Sequence, residues 1–236
     1  MHGTLHSDGP FNGGLFVTGT DTGVGKTLAS AALLHALRAQ GQCAVGMKPV
    51  ASGCERIDGA WRNEDALALQ AASEPMPPYA DINPFALPSP LAPELAARDA
   101  GIDVTLAPIL AAHARLRARC DRVVVEGVGG WAAPLASDLM QADLVRALDI
   151  PVVLVVGLRL GCLNHAALTV RAIAADGVRL AGWIATGIDP DMARVEDNLA
   201  LLGAKIPAPC LGVLPYDPAP DAARMARHIA FSPTIA

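Results

Sequence analysis

The residues best placed to do chemistry lie in the stretch GLFVTGTDTGVGKT, residues 14–27. An apolar run passes into a Gly-rich turn and then into a helical stretch that opens at Gly25-Lys26-Thr27. In such an arrangement successive backbone N–H groups surround phosphate oxygens, and the helix N-terminus adds partial positive charge. Gly23, Val24, Gly25, Lys26, Thr27 and Leu28 would then form a nucleotide phosphate loop. Lys26 would reach the β- and γ-phosphates, and the Thr27 hydroxyl would ligate Mg²⁺. The general pattern G-x-x-x-x-G-K-[ST] has Gly where this chain has Thr20, with Gly19 one residue early. The bland alternative is an ordinary Gly-rich strand-to-helix turn, and a G-K-T correctly placed after a strand argues against it.

Two further clusters suit the same chemistry. Lys48 ends the second apolar run and precedes Pro49, which fixes the chain direction. Open parallel sheets bind ligands at the carboxyl ends of their strands, so this lysine is a candidate for the phosphate crevice rather than a solvated strand end. The run Val123-Val124-Val125 ends in Glu126, the general form of a metal-side carboxylate on a strand. Gly127, Val128, Gly129 and Gly130 follow, and glycines let backbone approach phosphate closely. Asp65 falls in the first turn of a helix that Asn63 would cap. It reads either as a helix-dipole residue or as a third metal-side oxygen beside Thr27 and Glu126.

These residues need a scaffold of alternating strands and helices. Strands are expected at 15–19, 43–48, 122–126, 152–156, 180–185 and 210–214, as continuous apolar runs buried on both faces of a sheet. Helices are expected at 26–40, from about 63, and at 108–119, 139–148, 164–176 and 192–202. The alternation predicts one α/β P-loop domain over residues 14–236, with a mostly parallel central sheet and helices on both faces. The Pro-rich stretch 74–93 reads as a long irregular loop, and residues 1–13 as a flexible leader.

Composition narrows the class. Of 236 residues, 52% are apolar and 17% charged, too apolar for disorder. The longest apolar run, IPVVLVVGL at 150–158, is far short of the roughly 20 residues of a membrane span. A net charge of −5 gives no basic footprint for nucleic acid. The five scattered cysteines contain no C-x-x-C pair and read as reduced thiols of a cytoplasmic protein.

Taken together, the segments FVTGTDTGVGKT (16–27), KPVASG (48–53), RNEDALALQ (62–70), VEGVGGWAAPL (125–135), PVVLVVGLRLGCLNHA (151–166), GWIATGID (182–189) and IPAPCLGVLPY (206–216) resemble the dethiobiotin synthase family. They cover the chain from Leu15 nearly to its end, in family order, and Thr20 is part of that family's pattern. The resemblance implies ATP- and Mg²⁺-dependent ureido-ring closure of 7,8-diaminopelargonate with CO₂ or bicarbonate, through an N-carbamate and a carbamic–phosphoric anhydride. It implies Lys48 and Lys26 as catalytic residues and Thr27, Asp65 and Glu126 as metal ligands. Thr186 and Gly187, with Pro215, Tyr216 and Asp217, would lie by the nucleotide base. Thr22 and Ser52 would contact the diamine or carbamate. Gly161, Cys162, Leu163 and Asn164 would take its carboxylate tail from the neighbouring subunit of a homodimer.

The chain departs from the family pattern at three places. Position 23 is Gly where some members have Glu. Positions 186–187 are Thr-Gly where some have Asn before an acid, and Glu94 stands where relatives often carry His. Two alternatives fit the phosphate loop less well. A cobyrinic-acid-type synthetase would add a glutaminase domain, for which 236 residues leave no room. A partitioning-type ATPase switch acting through protein partners carries a lysine where this chain has Asp21.

Overall fold

The computed structural model describes residue 11 and residues 13–231. Of the leader expected over residues 1–13, residues 1–10 and 12 lie outside the described residues. Phe11 is buried, its ring edge-on to Phe231 with centroids 5.6 Å apart.

The chain runs β1 (Gly13–Gly19), α1 (Lys26–Ala39), β2 (Ala44–Met47), β3 (Val50–Ser52), β4 (Glu55–Ile57), β5 (Ala60–Arg62) and α2 (Glu64–Ala72). Next come α3 (Tyr79–Ile82), β6 (Phe85–Leu87), α4 (Pro93–Ala100), α5 (Leu106–Arg117), β7 (Arg122–Glu126), β8 (Pro134–Ala136) and β9 (Leu139–Met140). It continues through α6 (Gln141–Leu148), β10 (Val152–Leu158), α7 (Cys162–Ala175) and β11 (Leu180–Gly187). It closes with α8 (Val195–Lys205), β12 (Cys210–Leu214) and α9 (Ala222–Met225).

Six strands form the central sheet in the order β12-β11-β10-β1-β7-β2, and every neighbouring pair is parallel. Successive side chains of a strand face opposite sides, so both faces must be covered. From β1, Phe16 joins the core under α5 and α6, while Leu15 and Val17 join the core under α1 and α2. From β10, Leu154 and Val156 pack under α7 and α8 with Trp183. The expected fold class is the one observed. All six expected strands lie in this sheet. The outer edges are partly covered, Ala44 of β2 bridging Glu74 and Gly212 of β12 bridging Ile229.

Three expectations need correction. The stretch 74–93 is not one irregular loop, because it contains α3 and β6, and β6 pairs in parallel with β3 outside the main sheet. Elements of three or four residues set between prolines are too short to show a periodicity. The helix expected from Leu139 starts at Gln141, since residues 139–140 pair with β8 in a hairpin. The cysteines are not all thiols: Cys43 and Cys120 are joined, while Cys54, Cys162 and Cys210 are free. They are 77 residues apart in sequence, but Ala44 and Arg122 are partners in the β2–β7 register, which brings the residues just before those strands together. Among the described residues no helix is long and apolar enough to cross a membrane.

Helix α2 carries Asp65, so its seating on the edge strand matters. The Gly46 N–H of β2 donates to the buried Ser73 hydroxyl at 2.8 Å, and that hydroxyl donates to the Leu69 carbonyl at 2.7 Å. Ser73→Ala leaves a buried N–H without an acceptor and is expected to cost about 1–3 kcal/mol. Urea unfolding checks this: the midpoint should fall with no change of slope.

Candidate active site

The carboxyl ends of β1, β2 and β7 meet over one cavity of about 840 Å³. The loop after β1 enters α1 through Gly25, which caps the helix at φ 83°, a conformation that costs glycine little. The Lys26 ammonium donates to the Asp21 carbonyl at 2.9 Å, across the loop. Thr27 Oγ1 donates to Asp65 Oδ1 at 2.7 Å, with Glu126 Oε1 3.0 Å away. Asp65 is aimed by its helix, since Asn63 Oδ1 accepts the Ala66 N–H at 3.2 Å and fixes the first turn of α2.

Lys48 lies at the centre, only 3% exposed. Its ammonium is 2.6 Å from Glu126 Oε1, 3.0 Å from Asp65 Oδ2 and 3.1 Å from the Gly127 carbonyl. Burial alone pushes a lysine down, but the Glu126 carboxylate and then Asp65 outweigh it, so Lys48 stays charged with its pKa raised. Burial likewise raises Asp65, and the Lys48 charge and the Thr27 hydroxyl reverse this to a net lowering. Lys26 is shifted the other way. Burial and the neighbouring Lys48 charge bring it down to about 8, against the pull of Glu126, Asp65 and Asp21.

Of the residues singled out from sequence, Thr22, Gly23, Gly25, Lys26, Thr27 and Lys48 line this cavity together. Ser52, Asp65, Glu126, Val128 and Gly129 complete the set. Val24 is buried in the core beneath the loop and Leu28 packs against the same core. Gly127 lies buried behind Lys48. Pro90 and Pro93 bring the start of α4 to the cavity wall, while Glu94 is not on it. Two buried oxygens of the cavity-lining residues have no partner, Glu126 Oε2 and Ser52 Oγ.

Other singled-out residues stand apart from the cavity. Thr186 is buried and donates to the Val24 carbonyl at 2.5 Å, so its hydroxyl braces the phosphate loop from below. Gly187 ends β11 against the backbone of Tyr216, where a Cβ would meet the Tyr216 nitrogen at 2.5 Å. Pro215 and Tyr216 are exposed, and Asp217 pairs with Arg224. Gly161 caps α7, which begins at Cys162, two residues earlier than expected. Cys162 is buried in the core, Leu163 packs against it and Asn164 is exposed.

Sequence reading missed one contact at the phosphate loop. The Asp21 carboxylate accepts the Thr22 N–H at 2.7 Å and pairs with Arg159 at 2.5 Å, joining the loop to the turn before α7. The two residues are 138 apart in the chain, so no local signal marks them as partners.

A family model described as an AAA domain matches residues 13–224. An ATP-dependent dethiobiotin synthetase of Xanthomonas oryzae pv. oryzae is 65% identical over 91% of this chain and 96% of its own length. The one from Xylella fastidiosa is 66% identical over 86% of this chain and 90% of that relative. The chain belongs to the ATP-dependent dethiobiotin synthetases. This synthetase is therefore an ATP-consuming ligase of biotin synthesis. Among solved structures, a MinC:MinD cell division complex from Aquifex aeolicus matches with TM-score 0.54 at 12% identity, covering 90% of this chain and 93% of that one. A ParA family ATPase from Chlorobium tepidum matches with TM-score 0.52 at 15% identity, covering 92% and 90%. At such identities the likeness is one of fold.

The buried charges of the synthetase make a stability prediction. Lys48→Met removes the cation and leaves the Glu126 carboxylate fully buried beside apolar atoms. Breaking a buried pair from one side is expected to cost about 3–5 kcal/mol. Denaturant titration at neutral pH checks this against wild type.

Proposed function

We propose that the synthetase closes the ureido ring of 7,8-diaminopelargonate with CO₂, and that the cavity over β1, β2 and β7 is where it does so. The observation that carries this is the convergence of two lysines, two carboxylates and a hydroxyl on one cavity. In the proposed sequence one amine of the substrate captures CO₂ and loses a proton to give a carbamate. A carbamate oxygen attacks the γ-phosphorus of ATP and ADP leaves, forming a carbamic–phosphoric anhydride. The second amine then attacks the carbamoyl carbon, closing the ring and expelling phosphate. Every stage is anionic. Fixed positive charge where negative charge develops is commonly the largest catalytic contribution, and Lys48 and Lys26 supply it.

Thr27, Asp65 and Glu126 suit Mg²⁺. They offer only hard oxygens, and Glu126 Oε2 is buried with no partner of its own. Among the described residues no group of three or more His, Cys, Asp or Glu could hold an ion alone, so phosphate and water would complete the coordination. When bound, Mg²⁺ would neutralise phosphate charge; the residues themselves orient it. Ser52 Oγ, buried and unpartnered, and Thr22 suit the diamine or its carbamate. Gly23, Gly25, Lys26 and Thr27 would cradle the triphosphate, with Val128 and Gly129 opposite.

We place the nucleotide base near Gly187 and residues 215–217. Thr186 acts there as a brace, because its proton is committed to Val24. Homodimerisation is part of the proposal, with Gly161, Cys162, Leu163 and Asn164 of the neighbouring subunit taking the substrate carboxylate at the start of α7. Two exposed leucines at and near the start of α7 are in keeping with it: Leu160 is 97% exposed and Leu168 55%. Cytoplasmic ATP makes the cytoplasm the proposed place of action. A partitioning-type switch is not favoured, since Asp21 holds the position of that group's lysine and is itself paired with Arg159.

ATP hydrolysis by the purified protein should depend on both the diamine and bicarbonate, with dethiobiotin forming in step. Full-rate hydrolysis without diamine would replace this reading with a switch. Lys48→Ala should retain ATP binding by calorimetry and lose ring closure by about 100-fold or more. Near-normal turnover in that variant would remove Lys48 from the chemistry.

A further inference from the structure

Gln141 is the first residue of α6 and is only 1% exposed. Its Oε1 accepts the Val128 N–H at 2.8 Å, and its Nε2 donates to the Gly130 carbonyl at 2.9 Å, with Thr18 Oγ1 of β1 at 3.4 Å. Its backbone N–H donates to the Ala133 carbonyl at 3.0 Å. A backbone N–H only donates and a carbonyl only accepts, so these partners fix which end of the carboxamide is oxygen.

The Val128 N–H and the Gly127 C=O belong to one planar peptide unit and point in opposite directions. Gln141 holds the N–H end, while the Gly127 carbonyl accepts from the Lys48 ammonium at 3.1 Å. One peptide thus links a glutamine on α6 to the buried lysine of the site. No other side chain fits between them, since a Cβ on Gly127 would lie 2.4 Å from Gln141 Oε1 and 2.9 Å from Phe16 Cε1. Flipping this peptide would turn an N–H dipole toward the ammonium and deprive Val128 of its acceptor.

We propose that Gln141 is a positioning residue of the synthetase: its carboxamide locks the Gly127–Val128 peptide and, through that carbonyl, the aim of Lys48. This deepens the ring-closure reading and rests on it. The Gln141 partners (Thr18, Val128, Gly130 and Ala133) are uncharged. The charges nearest on its own helix, Asp143 and Arg146, pair with each other, and Arg146 also pairs with Asp176 on the α7 side. Lys48 lies on the carbonyl side of the peptide, and Glu126 lines the same small gap as Gln141, where its charge would add to burial in raising a carboxyl at position 141.

Two variants test the proposal, with dethiobiotin formation measured from diamine, bicarbonate and ATP. Gln141→Met keeps length and volume but offers no hydrogen bonds. Its kcat should fall about 10- to 100-fold, as for a small misplacement of a catalytic group, while KM for ATP stays within about threefold. In Gln141→Glu, a neutral carboxyl can still accept from Val128 and donate to Gly130, whereas a carboxylate cannot donate. Burial raises the pKa of such a group, so the ratio of variant to wild-type kcat should fall as pH rises from about 5 to 8. A folded Gln141→Met with kcat within about twofold of wild type overturns the role. So does a Gln141→Glu ratio that is flat with pH, and this second measurement decides if the Met variant does not fold. Absence of dethiobiotin from the wild type would instead refute the reaction itself.

Discussion

A lysine ammonium with almost no exposure to water has to be surrounded by opposite charge or give up its proton. Lys48 keeps its proton because Glu126 and Asp65 stand 2.6 and 3.0 Å away. Those two carboxylates come from the end of β7 and the start of α2, and the Thr27 hydroxyl from α1 bridges them. One buried charge therefore fixes where the loops after three parallel strands meet. The arrangement need not be the most stable one, since buried ion pairs are often no better than apolar packing. What it secures is position: the ammonium reaches both carboxylates and the Gly127 carbonyl only in this geometry.

The phosphate loop is organised by the same logic. Lys26 reaches back to the Asp21 carbonyl, Asp21 pairs with Arg159, and Thr186 holds the Val24 carbonyl from beneath. Lys26 and Lys48 are close enough for the Lys48 charge to lower the Lys26 pKa. Two cations facing the same cavity repel each other, and an anionic triphosphate relieves that repulsion. A loop held by such contacts would need little ordering on binding an anion.

Much of this was legible in the chain. G-K-T after an apolar strand, a lysine at the next strand end and Val-Val-Val-Glu each carry a local signature, and the parallel sheet brings them together as open α/β topology requires. Harder to read were contacts whose partners are distant and whose residue types are ordinary. Gln141 looks like any polar residue opening a helix, and only the folded turn at 127–130, with Thr18 of β1, gives its amide three partners. Asp21 and Arg159 are similar. So are Cys43 and Cys120, which become neighbours only because β7 lies beside β2. The short pieces α3 and β6 were hidden by their length, and the brace formed by Thr186 depends on a carbonyl no pattern could assign to it.

The bridges at the two rims of the sheet have a consequence for life at high protein concentration. Strands as apolar as β10, in a chain that is 52% apolar, would be hazardous with a bare rim, because an open rim is a template for another copy's strand. Here β10 is interior, and the rim strands β2 and β12 each meet a short return of chain at Glu74 and Ile229. Even the Gly46 N–H on the β2 rim is committed to Ser73. The fold thus limits backbone-templated polymerisation by occupying hydrogen-bonding groups at its borders.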